Sequence, residues 1–139
     1  MVDKSKYVEV GVITEEMAQI KNFSYPGKVY ATPKSYKHII KNHGKPRKNK
    51  TTLSKDVLED LTGTMIEILK YPDYIGCDPS KEGDSLEIIK DLGDNILLAL
   101  EFNIKESEIQ VSSMYPISES KLNGRITNNR VKKWETSTI

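Results

Sequence analysis

Residues 95–117 read NILLALEFNIKESEIQVSSMYPI, and this run decides the fold. Apolar and β-branched residues recur through it with a short polar break. The spacing predicts long strands over 96–104 and 108–117, joined by a hairpin connection at Lys105-Glu106-Ser107. Working upstream, Gly93-Asp94-Asn95 predicts another hairpin connection, back to a short strand over 86–90. A further short strand is expected over 74–77. In the second long strand, a regular pleat puts Ile109, Val111, Ser113, Tyr115 and Ile117 on one face. Ser113 is the misfit among apolar and aromatic neighbours. A hydroxyl there either bonds a neighbouring backbone group or has a job.

The first half of the chain has a different texture. Residues 7–12 alternate like a strand, and Thr14 followed by Glu15 and Glu16 looks like a capped helix start. The turn at Tyr25-Pro26-Gly27 leads into a short strand over 28–31. Next comes TPKSYKHIIKNHG, residues 32–44. Thr32 is a good N-cap, Pro33 suits the first helical position, and Gly44 suits the C′ position. Tyr36, Ile39, Ile40 and His43 fall on one helical face. His43 thus lies in the last turn, where the carbonyl dipole favours an imidazolium. A basic loop over 44–50 follows, then a helix from a Ser54 cap to Lys70, stopped by Tyr71-Pro72-Asp73. Helices first and strands afterwards predict one α+β domain over 1–139. Its N-terminal helices would pack on a meandering antiparallel β-sheet.

The charges are sorted along the chain. Residues 17–55 carry ten Lys or Arg and no acid, whereas residues 56–108 carry fourteen acids against four bases. A net charge of +1 hides this polarity. The basic block, which holds both His38 and His43, has the potential to attract phosphodiesters. Alternatively the two blocks neutralise each other across the fold. The acids of 73–94 lack the ladder of a calcium loop and read as a solvated or partner-facing surface.

Several chemistries are excluded. Cys77 is the single cysteine, so there is neither an intrachain disulfide nor a Cys-rich zinc site. His38 and His43 stand five apart, too far around a helix to chelate one metal as an i, i+4 pair does. Phosphate-loop, nucleophile-elbow and dinucleotide fingerprints are absent. No apolar run approaches the roughly 18 residues of a membrane span. The start, MVDKSKYVEVGV, lacks the apolar stretch of a secretory signal. A reducing, cytoplasmic workplace is expected, although a toxin delivered by another machine would share these features.

Three stretches carry a family resemblance: HIIKNHGK at 38–45, YPDYI at 71–75 and VSSMYPIS at 111–118. In this order the chain, over about 28–134, resembles the phage-associated branch of the barnase–EndoU–colicin–RelE (BECR) nucleases. That resemblance implies an α+β fold and metal-independent ribonuclease activity, often in toxins or mobile-element effectors. It also implies a helix-terminal histidine, matched by His43, and a hydroxyl before a small or apolar residue and an aromatic, matched by Ser113, Met114 and Tyr115. Family members often carry Thr where this chain has Ser113. A mid-sheet basic residue would be Lys90, and one beyond the last long strand Lys121 or Arg125.

Metal-free RNA cleavage needs a base for the 2′-OH, an acid for the 5′-oxygen and cations for the phosphorane charge. His43, Ser113, Tyr115 and Arg125 are the expected catalytic set, and no metal or cofactor is called for. Lys41, Lys45, Arg47, Lys48, Lys90 and Lys121 are expected to hold the RNA. A second acid or base is not evident. Without one, the chain could instead be an inactive nucleic-acid-binding module, or a protein-interaction module whose acidic face meets an antitoxin or immunity protein.

Overall fold

The computed structural model describes residues 3–45 and 52–135. Its strands are β1 (Val8–Ile13), β2 (Gly27–Ala31), β3 (Tyr74–Gly76), β4 (Ser85–Asp91), β5 (Asn95–Asn103), β6 (Glu108–Ile117) and β7 (Val131–Lys133). The helices are α1 (Glu15–Gln19), α2 (Pro33–His43), α3 (Lys55–Glu59), α4 (Leu61–Lys70) and α5 (Glu119–Thr127). The strands form one sheet in the order β1-β2-β6-β5-β4-β3-β7. The β4–β5–β6 meander has the expected hairpin connections. The architecture is α+β, but the sheet is mixed. Strand β2 pairs parallel with β6 through Val29↔Ile109 and Tyr30↔Gln110, because the intervening helices and strands form one long crossover.

Two apolar layers hold the sheet. The larger joins Ile39 of α2 and Met65 and Ile68 of α4 to Leu86, Ile88, Leu98, Leu100, Ile109 and Met114. The smaller lies on the other face and joins Leu122 of α5 and Val131 of β7 to Ile89, Leu97 and Ile117. The helix and strand after Ser118 were not anticipated, although Ser118 and Glu119 make an ordinary N-terminal cap and first turn. They supply the second face's cover.

Four expectations are corrected. The helix expected over 54–70 is broken at Asp60 (φ −145°, ψ 67°), whose carboxylate accepts from Gly63 N at 2.9 Å and starts α4 afresh. An Asp side chain competes with the helical ladder in this way. Gly44 is not a left-handed C′ residue. It is the C-cap of α2 in a right-handed conformation (φ −91°). Ile40 is 49% exposed, so α2 meets the sheet through Ser35, Tyr36 and Ile39 instead. Finally, the regular alternation of β6 is interrupted. Leu100 pairs with Val111 and Ala99 with Ser113, which leaves Ser112 as the extra residue of a β-bulge, its hydroxyl donating to Ala99 O at 3.2 Å. Ile109 and Val111 therefore face the larger core, while Tyr115 and Ile117 belong to the other face.

Helix α2 closes the sheet where β2 ends. Thr32 and Ser35 form a reciprocal capping box, and the Ser35 hydroxyl also donates to Val111 O at 2.6 Å. One side chain thus both starts the helix and ties it to β6. Its direction carries His43 toward the C-terminal half of that strand.

Candidate active site

The site is built on the face that the Ser112 bulge gives to Ser113 and Tyr115. Register places Glu87, Ala99 and Ser113 in one row across β4, β5 and β6, with Ile89, Leu97 and Tyr115 in the next. Ala99 projects only a methyl group between Glu87 and Ser113, which opens a cleft of about 200 Å³ lined also by Tyr115 and Arg130. Ser113 and Glu87 are both buried, at 8% and 5% exposure.

Three elements deliver charged or titratable groups to this row. Helix α2 brings His43, whose ring stacks on Tyr115 with centroids 5.1 Å apart and planes 28° from parallel. Its backbone carbonyl accepts from Leu53 N at 2.9 Å, and buried Leu53 anchors that bond in the core. Helix α5 brings Arg125. A turn through Asn129 (φ 57°) then reverses the chain and brings Arg130. Asparagine tolerates this left-handed conformation better than most residues. Arg130 N donates to Arg125 O at 2.8 Å, so the two guanidiniums are set by one turn. On the other side of β7, Gly76 admits this backbone. A Cβ there would lie 2.3 Å from Arg130 O.

Electrostatically the centre is one carboxylate between two cations. Arg130 donates two bonds to Glu87, Nε to Oε1 at 2.9 Å and Nη2 to Oε2 at 2.7 Å. Arg125 Nη2 lies 3.7 Å from Glu87 Oε2. The trio keeps a net positive charge. Tyr115 feels all three. Burial, and then Glu87, push its phenol above the ordinary tyrosine value, while Arg125 and Arg130 pull it back. It therefore stays protonated at physiological pH and is a hydrogen-bond donor. Among the described residues, Ser113 Oγ and Arg125 Nε are buried without a hydrogen-bond partner. An orphaned buried donor is uncommon, and each of these suits an anionic oxygen.

Of the residues singled out from sequence, His43, Tyr115 and Arg125 are brought together, with Ser113 two residues from Tyr115 on the same strand. Lys90 is not part of the group. It pairs with Ile96 on the larger-core face, and its ammonium donates to Tyr71 O at 2.8 Å. Lys121 is exposed on α5, and Lys41 and Lys45 are exposed around the end of α2. Arg47 and Lys48 lie outside the described residues. Glu87 and Arg130 were missed. Glu87 belongs to the stretch read as a solvated acidic surface, yet it is buried in the ion-pair centre. The available signal was a lone acid among apolar residues in SLEIIK, 85–90.

The two charge blocks do not cancel at α2. Among the described residues, no ion pair involves Lys34, Lys37, Lys41 or Lys45. Acids of the second block pair with Lys55, at the end of the basic block, and with Lys4, Lys81 and the two arginines. No helix among the described residues is long and apolar enough to cross a membrane.

Comparison with known families places residues 8–124 on the model of the phage-Barnase-EndoU-ColicinE5/D-RelE like nuclease 3 family. Neither the curated proteins nor the solved structures gave a match. With most of its length matched, the chain belongs to this family of phage-associated nucleases.

Proposed function

We propose that this nuclease is a metal-independent endoribonuclease, acting in the cytoplasm as a toxin or prophage effector. The observation that carries the reading is the cluster of His43, Tyr115, Arg125 and Arg130, in which Arg125 Nε is an orphaned buried donor, as is the hydroxyl of Ser113 two residues before Tyr115. A phosphate needs cations and directional donors, and this site offers both without a metal.

In this mechanism the scissile phosphate enters the cleft against Arg125 and Arg130. Ser113 and Tyr115 donate to its non-bridging oxygens. His43 takes the 2′-OH proton as the 2′-oxygen attacks phosphorus, and the 5′-oxygen leaves and takes a proton from water. Glu87 does not touch the substrate. Its role is to hold the guanidiniums apart and aimed, which makes it a positioning residue. The exposed lysines of α2 lead a polyanion toward His43.

The test uses purified protein and RNA in excess EDTA. Cleavage by wild type, lost in His43→Ala with folding intact, supports the mechanism. A strict requirement for a divalent cation would remove it. A second reading, binding without turnover, draws on one observation: Glu87 already supplies Arg130 with a bidentate anion. Under that reading the protein is tolerated in bacteria as well as His43→Ala is, whereas a nuclease is toxic and the substitution relieves it.

A further inference from the structure

The cleft beside Ser113 and Tyr115 reaches one row of the sheet past the arginines. Glu101 follows Ala99 by two residues of β5, so both project from the same face. Register sets Ser85 and Glu101 side by side, in the row next to Glu87, Ala99 and Ser113. Two residues of strand separate these rows by about 7 Å. Lys81 lines the same cleft and forms an ion pair with Glu101. Among the described residues, no other lysine lines it.

The backbone beneath Lys81 is fixed. Residues Pro79–Lys81 form a 3₁₀ turn capped by Asp78, and Lys81 N donates to Asp78 O at 2.8 Å. The hydroxyl of buried Ser85 donates to Lys81 O at 3.2 Å. Only the lysine side chain is left to move.

Two carboxylates hold cations in this cleft, and they differ in kind. Glu87 is buried and bidentate to Arg130, so the charges it holds cannot be released without stranding them. Lys81 and Glu101 are 54% and 43% exposed, and water screens their attraction. A phosphate can therefore take Lys81 from Glu101, whose carboxylate turns to solvent. Asp78, Lys81 and Glu101 together also offset the net positive charge of Glu87, Arg125 and Arg130. The cleft as a whole is neutral, so each carboxylate at its border weighs against an entering polyanion.

We infer that Lys81 is a substrate-binding residue for the phosphate next to the scissile one, and that Glu101 competes with that phosphate for its ammonium. The assignment of RNA rests on the ribonuclease reading, but the exchange itself needs no turnover.

The experiment measures binding of two 2′-O-methyl RNAs, which cannot undergo 2′-OH attack. One is a dinucleotide with a single phosphate, and the other is a trinucleotide with two. Lys81→Met should weaken the trinucleotide about three- to fivefold and lower its salt slope by about 0.7, with the dinucleotide binding as it does to wild type. Lys81→Arg should retain the trinucleotide. Glu101→Gln should tighten it, and that gain should vanish in the Lys81→Met/Glu101→Gln double variant. Trinucleotide binding unchanged in Lys81→Met, or an equal loss with the dinucleotide, overturns the flanking site. So does failure of wild type to bind either oligonucleotide. A Glu101→Gln gain that survives without Lys81 is plain charge repulsion and overturns the competition. Cleavage of ordinary RNA is scored separately. Cleavage with Lys81→Met binding like wild type leaves the ribonuclease standing without this subsite. The binding effects without any cleavage leave the subsite standing and remove the ribonuclease.

Discussion

Replacing Glu87 by Gln tests the ion-pair centre most sharply, because the shape is kept and the charge removed. Glu87 is 7% exposed at its side chain, while Arg125 and Arg130 are 16% and 28% exposed. Breaking a buried pair by deleting one partner costs about 3–5 kcal/mol, because the remaining charge is stranded. Both guanidiniums keep some water here, so about 2 kcal/mol is the appropriate scale. For a domain of this size that lowers the thermal midpoint by roughly 6–10 °C. A double-mutant cycle with Arg130→Gln should return a coupling of about 1 kcal/mol or more. The substitution has an electrostatic readout as well. Burial and Glu87 both raise the Tyr115 phenol, so Glu87→Gln should bring its titration down, measured from tyrosinate absorbance against a Tyr115→Phe control. A midpoint within about 2 °C of wild type, with Tyr115 titrating as before, would refute the reasoning, since a loss that small matches an ordinary solvent-screened surface pair.

Other expectations follow from single contacts. Ser113→Ala removes a buried hydroxyl with no partner among the described residues, so thermal stability should hold or rise while RNA cleavage falls. A loss of both together would make Ser113 a structural residue. Asp60→Ala removes the cap that accepts from Gly63 N and should cost about 1 kcal/mol in urea denaturation; no change would mean α4 starts without it. At alkaline pH, the hydrogen bond to Glu106, and then burial, raise Tyr7 to about 12, and Tyr115 is raised too. The folded state holds these protons more tightly than the unfolded chain. Their stabilisation is therefore complete below an unfolded value of about 10 and is lost as pH rises through the folded values. The denaturation midpoint should fall across that window, and Tyr7→Phe should flatten the fall.

The strands and α2 were legible because their signals are local. The strand over 108–117 and the Thr32-Pro33 start of α2 coincide with the folded elements. What the sequence hid depends on contacts distant in the chain. A bulge at Ser112 needs knowledge of how β5 pairs, and it moves Ser113 and Tyr115 to the opposite face from Ile109. Glu87 was hidden for a related reason. An acid within an acid-rich stretch looks solvated until α5 and β7 fold over it and supply Arg125 and Arg130. His43 and Tyr115 could be nominated one by one, but their stacking requires Ser35 to tie α2 to the edge of β6. Lys90 failed on the simplest ground, the parity of a strand. It follows Ile89, and its ammonium emerges on the other side of the sheet.

Under the proposed mechanism, His43 and the arginine pair cleave RNA through its own 2′-hydroxyl, without metal. The most direct measurement is mass spectrometry of the ends produced from a defined RNA in excess EDTA. A parallel substrate should carry a single 2′-deoxy at the mapped cleavage site. The expected products carry 2′,3′-cyclic phosphate and 5′-hydroxyl ends, with the deoxy substrate left intact. Products bearing 5′-phosphate and 3′-hydroxyl ends, or cleavage of the deoxy substrate at the same bond, would contradict that mechanism.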